Sequence, residues 1–460
     1  MDAVAAQVRG RPLVLAGFHL TAGGRVARRL GDLAGTRPLI VAHGRGSGPE
    51  PDPADADWIV VEERVPDILA EIRAGERLVA HPPAEALAAI ERHDPERRAL
   101  VVVPFALGVL PAQMAGRRIW GHRPPEWVAL EDKLLADGIW DEARVPHAPS
   151  AVVPAEAEAL RSAAARLDRG AGTVWAAEAR DGFHGGATGT RWVRGPADEA
   201  EAIERLRAMG ARVRVMPFVE GVPCSVHGIV VPDGVAAVRP VEMVVLRAQA
   251  PPLLRYCGAA TYWDPPEEDR EAMRAAARRV GEALRSRVGF RGVFTLDGVL
   301  GDDGFVPTEV NPRYGIGMEV LTRGMAGLDM NLANQALIEG ARPPLSAAAL
   351  ESGLVAAADR VRGGGGWLAT KAISSGQGEH PLVREDGVYR RSEPGEEPDA
   401  TVLAGPSNVG GFVRFEPAAG RAPAGPPLAP LVAAGMGWAD RELDLGIGPL
   451  APAREARRPG

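Results

Sequence analysis

Residues 290–317 read FRGVFTLDGVLGDDGFVPTEVNPRYGIG. Two β-like runs flank Asp302-Asp303-Gly304, and a three-residue hairpin loop ending in glycine is a common type, with glycine in the left-handed position. Pairing Gly301 with Phe305 sets Asp297 opposite Glu309, with Asn311 two residues further along the same face. Phe294, Leu296, Val306 and Val310 then face inward. Two carboxylates directly opposite one another repel unless a cation lies between them. Hard divalent ions such as magnesium take oxygen ligands of this kind and leave positions open for phosphate oxygens. Arg313 adds a guanidinium suited to a two-pronged grip on phosphate or carboxylate. The spacing therefore predicts a magnesium–phosphate site on a hairpin. The plainer reading is a solvated hairpin with unrelated acids, Asn311 as a turn former and Arg313 in a surface pair. Pro307 favours an edge strand or a bulge.

Other residues carry weaker signals. The segment 181–189 (DGFHGGATG) is glycine-rich, and successive backbone N–H groups in such a loop cradle anions. His184 within it touches a phosphate or is simply solvated. Lys133 beside Asp132 forms an ordinary surface pair unless phosphate recruits it. Arg239 and Glu242 straddle Pro240 and line a substrate side or pair with each other. Arg291, and Arg255 with Tyr256, are candidates for a substrate carboxylate. Lys371 with Ser374, Ser375 and His380 covers the site or forms a plain loop. Cys224 and Cys257 read as small buried apolar residues rather than nucleophiles. The sequence holds no G-x-x-x-x-G-K-[ST] loop, no H-E-x-x-H and no G-x-S-x-G elbow. The stretch LAGFHLTAGG follows a strand but lacks the dinucleotide-binding spacing.

The D-x11-E-x-N-P-R element resembles the metal-binding signature of the ATP-grasp superfamily. That resemblance implies a mixed α/β (α+β) fold with an α/β pre-grasp domain and two lobes that close on ATP. It implies an ATP-dependent carboxylate–amine ligase, acting on peptides or amino acids through an acyl-phosphate and releasing ADP and phosphate. Asp297, Glu309 and Asn311 would hold two magnesium ions, with manganese as the alternative. Arg313 would hold the transferred phosphate, joined in catalysis by Arg291 and Lys133. Glu131-Asp132-Lys133 resembles the family's D-K pair, whose lysine contacts ATP phosphate. Arg180, His184, Gly185 and Gly186 fall at the phosphate loop. Residues 215–221 (VMPFVEG) resemble the hinge strand beside adenine, giving Met216, Phe218, Glu220 for the ribose, and Ser225. Arg239, Glu242, Arg255 and Arg313 are then assigned to substrate. The family's second lysine is missing from 174–178 (VWAAE), and Arg180 or Arg191 is its candidate substitute. The resemblance spans roughly residues 126–345. The GFHGG loop and the C-terminal extension look most like the pheganomycin-type peptide ligases of actinomycete antibiotic pathways. The rival readings are a carboxylate–thiol ligase or small-molecule kinase on the same scaffold, and a noncatalytic nucleotide-binding protein.

These residues need elements to position them. Alternating short apolar strands and helices predict a pre-grasp α/β domain over 1–125, ATP-grasp lobes over 126–350 and a small strand-containing domain or extension over 351–460. In the first part a helix is expected over 65–73 and a short strand over 78–80. The best-defined helix spans 264–288. Asp264 caps it, Glu267 sits at the capping-box position, and Met273, Ala277, Val280 and Leu284 recur on one face. A helical stretch over 126–138 carries Lys133, and a loose tail follows Pro449. With 460 residues, the chain can bury a large core without cross-links. Its 53 basic and 60 acidic residues give a net charge of -7, which argues against a general nucleic-acid or membrane-surface binder. Two cysteines exclude a disulfide framework and a four-thiolate zinc site, so a reducing, cytoplasmic setting is expected. Residues 99–112, the most apolar run, contain Pro104 and Pro111 and are too short to span a bilayer. The expected partners are small-molecule or peptide carboxylates and amines, with no nucleic acid or membrane, and a homodimer left open. Only Lys133 and Lys371 are lysines, so amine chemistry has few sources.

Overall fold

The computed structural model describes residues 1–104, 107–178, 187–249, 252–371 and 377–454. Short, fully apolar runs near the N-terminus become strands buried on both faces, as parallel strands covered by helices must be. They are β1 (Leu13–Ala16), β2 (Leu39–Ala42) and β4 (Leu100–Val102); β3 (Asp57–Val60) is a partly exposed edge strand beside β2, and the hairpin of β5 (Gln113–Met114) and β6 (Arg117–Trp120) forms the other edge. The sheet order is β3-β2-β1-β4-β6-β5. The chain thus runs outward from β1 in one direction, then returns to build the other side. The helices Leu20–Ala34, Ile68–Ala80 and Ala84–His93 cover this sheet. The expected helix over 65–73 and strand over 78–80 are a single helix, Ile68–Ala80. Asp67 accepts the Ala70 N–H and starts it beyond Pro66, and Leu78 and Val79 are buried on its face.

The middle of the chain builds two antiparallel sheets. The first contains β7 (Ala151–Pro154), β8 (Thr173–Ala177), β9 (Thr190–Val193) and β10 (Arg212–Pro217), in the order β7-β10-β8-β9. The second contains β11 (Val222–Val231), β12 (Gly234–Ala237), β13 (Val241–Gln249), β14 (Pro252–Ala260), β15 (Gly292–Gly301) and β16 (Gly304–Asn311). Its order is β14-β13-β11-β15-β16, with β12 paired to β11. The helix Glu267–Val288 packs on this sheet. Met273, Ala277, Val280 and Leu284 are buried there with Phe294, Leu296 and Val310. Its start differs from expectation. Pro266 holds the cap position, while Asp264 binds the guanidinium groups of Arg239, Arg270 and Arg362.

The remainder forms a five-stranded antiparallel sheet of β17 (Gly366–Thr370), β18 (Gly378–Glu385), β19 (Val388–Arg391), β20 (Ala400–Ser407) and β21 (Gly410–Pro417). The helix Ala429–Leu443 closes its core. The segment after Pro449 is not loose at its start: β22 (Leu450–Pro452) pairs with β13. No helix of the described residues is long and apolar enough to cross a membrane.

Candidate active site

The β15–β16 hairpin turns more tightly than its sequence suggests. Gly301 pairs with Gly304, leaving only Asp302 and Asp303 in the turn. A bulge at Thr308 absorbs the extra residue, so Asp297 still lies opposite Glu309 and Thr295 opposite Asn311. β16 is an edge strand, and Pro307 stands next to the bulge, where its missing N–H costs least. Between turn and bulge the faces are exchanged. Phe305 packs on the core, and Val306 pairs with Val299 on the side of Asp297, contrary to the inward position expected for it. Gly298 is required here, because a Cβ would lie 2.4 Å from the Val306 carbonyl oxygen.

Four site groups therefore share one face. The Asp297 carboxylate accepts hydrogen bonds from Ser225 Oγ at 2.5 Å and Asn311 Nδ2 at 2.8 Å. Glu309 is ion-paired with Lys133 Nζ. Arg313 donates from Nη2 to Asn311 Oδ1 at 3.0 Å and from Nε to Glu131 Oε2 at 3.0 Å. Glu131 in turn accepts from Arg123 Nη1 at 2.7 Å, and Arg123 also reaches the Pro312 carbonyl at 3.3 Å.

Lys133 and Glu131 reach the hairpin because the expected helix over 126–138 is broken. Residues Pro125–Val128, Ala129–Glu131, Lys133–Leu135 and Ala136–Ala143 form separate helical turns. Asp132 is extended and caps the turn after it by accepting the Leu134 N–H at 3.0 Å. Asp132 is thus not the partner of Lys133.

The electrostatics follow from this packing. Burial pushes the Asp297 carboxyl up to about 7, and the nearby negative charge of Glu309 adds to the effect. Burial pushes Glu309 the same way, but the charge and hydrogen bond of Lys133 outweigh it and leave Glu309 below the usual range. The Tyr256 phenol on β14 is also raised, first by burial and then by Asp297. Asp297, Glu309 and Glu131 face Lys133, Arg313 and Arg123. The donor set is hard oxygen, and the Glu309 side chain is 27% exposed and open to an ion. Those features fit magnesium, and added divalent charge would make the cluster receptive to phosphate.

The other expected site residues are placed as follows. Ser225 spends its hydroxyl on Asp297, and its side chain is buried. Met216 and Phe218 are buried at the end of β10 and just beyond it, with Phe218 stacked on Trp192 at 4.2 Å. Glu220 is held by both Nη atoms of Arg247, at 3.0 and 2.6 Å, and by the Arg454 backbone N–H at 3.1 Å. Arg180, His184, Gly185 and Gly186 lie outside the described residues. Arg191 is committed to Glu201 and to the Thr188 and Thr190 carbonyls.

Arg239 and Glu242 are not exposed to a substrate. Arg239 is buried, donates to the Thr261 and Trp263 carbonyls and Asp264, and is ion-paired with Asp359. Glu242 caps the helix Ala429–Leu443, accepting from Leu428 N at 2.5 Å and Ala429 N at 2.9 Å. Arg291 is exposed beside Gly340, just before β15. Six residues of strand separate it from Asp297, about 20 Å. Arg255 lies on β14 next to Tyr256, its Nε buried without a hydrogen-bond partner among the described residues.

Sequence reading missed Arg214, Glu131 as a positioning group, and Arg123. Arg214 on β10 pairs with Ala176 on β8, inside the segment expected to carry a second lysine. Its side chain is 3% exposed, and it binds Asp137 at 2.6 Å, Ser150 Oγ at 3.1 Å and the Thr308 carbonyl at 3.3 Å. The alternation RVRVMP gave no signal, because Val213 and Val215 face the core and Arg214 falls in the polar phase with Arg212.

Residues 180–316 match the family model described as an ATP-grasp domain. No curated protein matches the sequence. Among solved structures, the pyruvate carboxylase of Rhizobium etli is similar at 16% identity and a TM-score of 0.55, covering 94% of this chain and 37% of that one. The N5-carboxyaminoimidazole ribonucleotide synthetase of Thermus thermophilus is 17% identical, with a TM-score of 0.48 and coverage of 93% and 97%. The Aspergillus clavatus carboxyaminoimidazole ribonucleotide synthase is 13% identical, with a TM-score of 0.47 and coverage of 88% and 93%. The chain has a mixed α/β fold with ATP-grasp architecture.

Proposed function

We propose that this chain is an ATP-dependent ligase that joins a carboxylate to an amine through an acyl-phosphate. The observation that carries this reading is the convergence of Asp297, Glu309 and Asn311 on one hairpin face, with Lys133 and Arg313 held against it. Residues 1–125 act as the pre-grasp domain, 126–350 as the ATP-binding lobes and 351–460 as the C-terminal domain. Divalent ions held by Asp297, Glu309 and Asn311 would supply charge neutralisation to the phosphoryl oxygens.

A substrate carboxylate oxygen attacks the γ-phosphorus of ATP, the bond to the bridging oxygen breaks, and ADP departs. Arg313 and Lys133 face the transferring group as fixed cations and lower the cost of its developing charge. The amine nitrogen then attacks the acyl carbon, phosphate leaves, and the amine proton passes to solvent. Glu131 and Arg123 position Arg313 without touching the reacting atoms. No enzyme nucleophile is required, consistent with the burial of both cysteines and the upward shift of their thiols by desolvation.

The test is an ADP-release screen over carboxylate and amine pairs, with mass spectrometry of the products. Amide formation is expected. A thioester or a phosphorylated alcohol would redirect the assignment, and ATP binding without ADP release over the panel would reject catalysis. Glu309→Gln is expected to lower release by ~100-fold or more. Unchanged turnover would remove Glu309 from the site.

A further inference from the structure

Three side chains meet at the carboxyl ends of the first sheet, away from the hairpin site. His19 follows β1 and precedes the helix Leu20–Ala34. His43 follows β2, and Glu71 lies in the first turn of the helix Ile68–Ala80. His19 Nε2 stands 2.8 Å from Glu71 Oε1, and the two imidazole rings are 4.7 Å apart between centroids. One ligand-type atom from each of the three residues lies within 4.8 Å of the others. β1 and β2 are adjacent parallel strands, and the mouth of such a sheet is where open α/β folds bind their ligands.

His43 is the informative member. It is 7% exposed, and neither of its ring nitrogens has a hydrogen-bond partner among the described residues. A buried polar atom left unpaired is destabilising, so its retention asks for a partner. The helix makes room for the ring. A Cβ at Gly75 would approach His43 Nδ1 to 3.2 Å and the Gly17 carbonyl oxygen to 3.0 Å.

We propose that His19, His43 and Glu71 form a zinc-binding site in the first sheet. Two imidazoles and one carboxylate, with a fourth position left open, is a donor set zinc accepts. Ligand distances of about 2.0–2.2 Å place tetrahedral donors roughly 3.3 Å apart, so the present spread closes by a modest rotation of an imidazole. A nearby loop buttresses the site: Asn408 of the β20–β21 turn packs on Gly44, and its carbonyl accepts the Val65 N–H at 3.4 Å.

The experiment measures zinc on the full-length chain, by elemental analysis after dialysis and by calorimetric titration with Zn²⁺ alone. Wild type and Glu309→Gln are expected to retain one zinc per chain, the latter showing that the hairpin acids are not its holders. His19→Gln, His43→Gln and Glu71→Gln are each expected to weaken binding at least 10-fold, with Co²⁺ giving an intense tetrahedral visible spectrum only in chains with all three residues. His19 and Glu71 are partly exposed and tolerate substitution, so loss of binding in those two variants is separable from misfolding, which circular dichroism checks. No zinc on wild type, equal affinity in the His19 and Glu71 variants, or loss of zinc in Glu309→Gln would each overturn the proposal.

Discussion

At the scale of single residues, position along the chain and position in space part company for several charged groups. Arg239 and Glu242 are near neighbours in sequence, yet each is consumed by a distant partner: Asp359 for Arg239, the helix at Ala429 for Glu242. Arg239→Met should therefore destabilise the fold by about 1–3 kcal/mol, since the Trp263 carbonyl loses its buried donor while Asp264 keeps Arg270 and Arg362, and leave the KM values for substrates unchanged. Denaturant titration with parallel kinetics separates these effects; a raised substrate KM with normal stability would restore Arg239 to a binding role. Arg313 differs, because its guanidinium spans Asn311 and Glu131 with separate nitrogens. Arg313→Lys keeps the charge but not the geometry, and kcat is expected to fall about 10- to 100-fold with stability nearly intact. A turnover within twofold of wild type would show that only charge is needed there.

At the scale of elements, local rules set most of what could be read in advance. The helix Glu267–Val288 was legible because its apolar residues recur on one face and its acids and arginines oppose the helix dipole. The pairing of Asp297 with Glu309 was also legible, though through a three-residue turn; the true route is a two-residue turn plus a bulge. Turn length and bulge compensate, and a sequence pattern of period two cannot distinguish them until Pro307 is weighed. The break at Asp132 was hidden for a related reason. A single capping side chain divides a run that otherwise has helical composition. Glu242 capping a helix almost two hundred residues later had no local signal at all. Its removal tests the element directly: Glu242→Ala leaves two buried N–H groups unpaired, and a loss of about 2–4 kcal/mol is expected, read as a lowered thermal midpoint. A midpoint unchanged within a degree would mean that the helix is capped by other means.

At the scale of the whole molecule, buried charge-bearing groups tie stability to pH. His227 sits within the β11 sheet, and burial alone lowers its pKa to about 3. The unfolded chain takes up that proton below about 6.5, whereas the folded chain stays neutral until far lower pH. The His227 contribution to stability should therefore fall on acidification from about pH 6.5, by up to ~1.4 kcal/mol per unit, above the range in which ordinary carboxylates titrate. Urea unfolding at pH 7 and pH 5 checks this, with His227→Asn expected to flatten the slope; identical slopes in both proteins would assign the acid sensitivity elsewhere. The pairing of Lys133 with Glu309 has a further use, because the chain has only one other lysine, Lys371, which is exposed. An amine-directed reagent meets a sparse target: the α-amino group, one open side chain and one guarded by a carboxylate. Acylation of the guarded amine, followed by peptide mapping, becomes a footprint that needs no knowledge of the substrates: if the proposed site takes nucleotide, adding it is expected to protect Lys133 and leave Lys371 reactive.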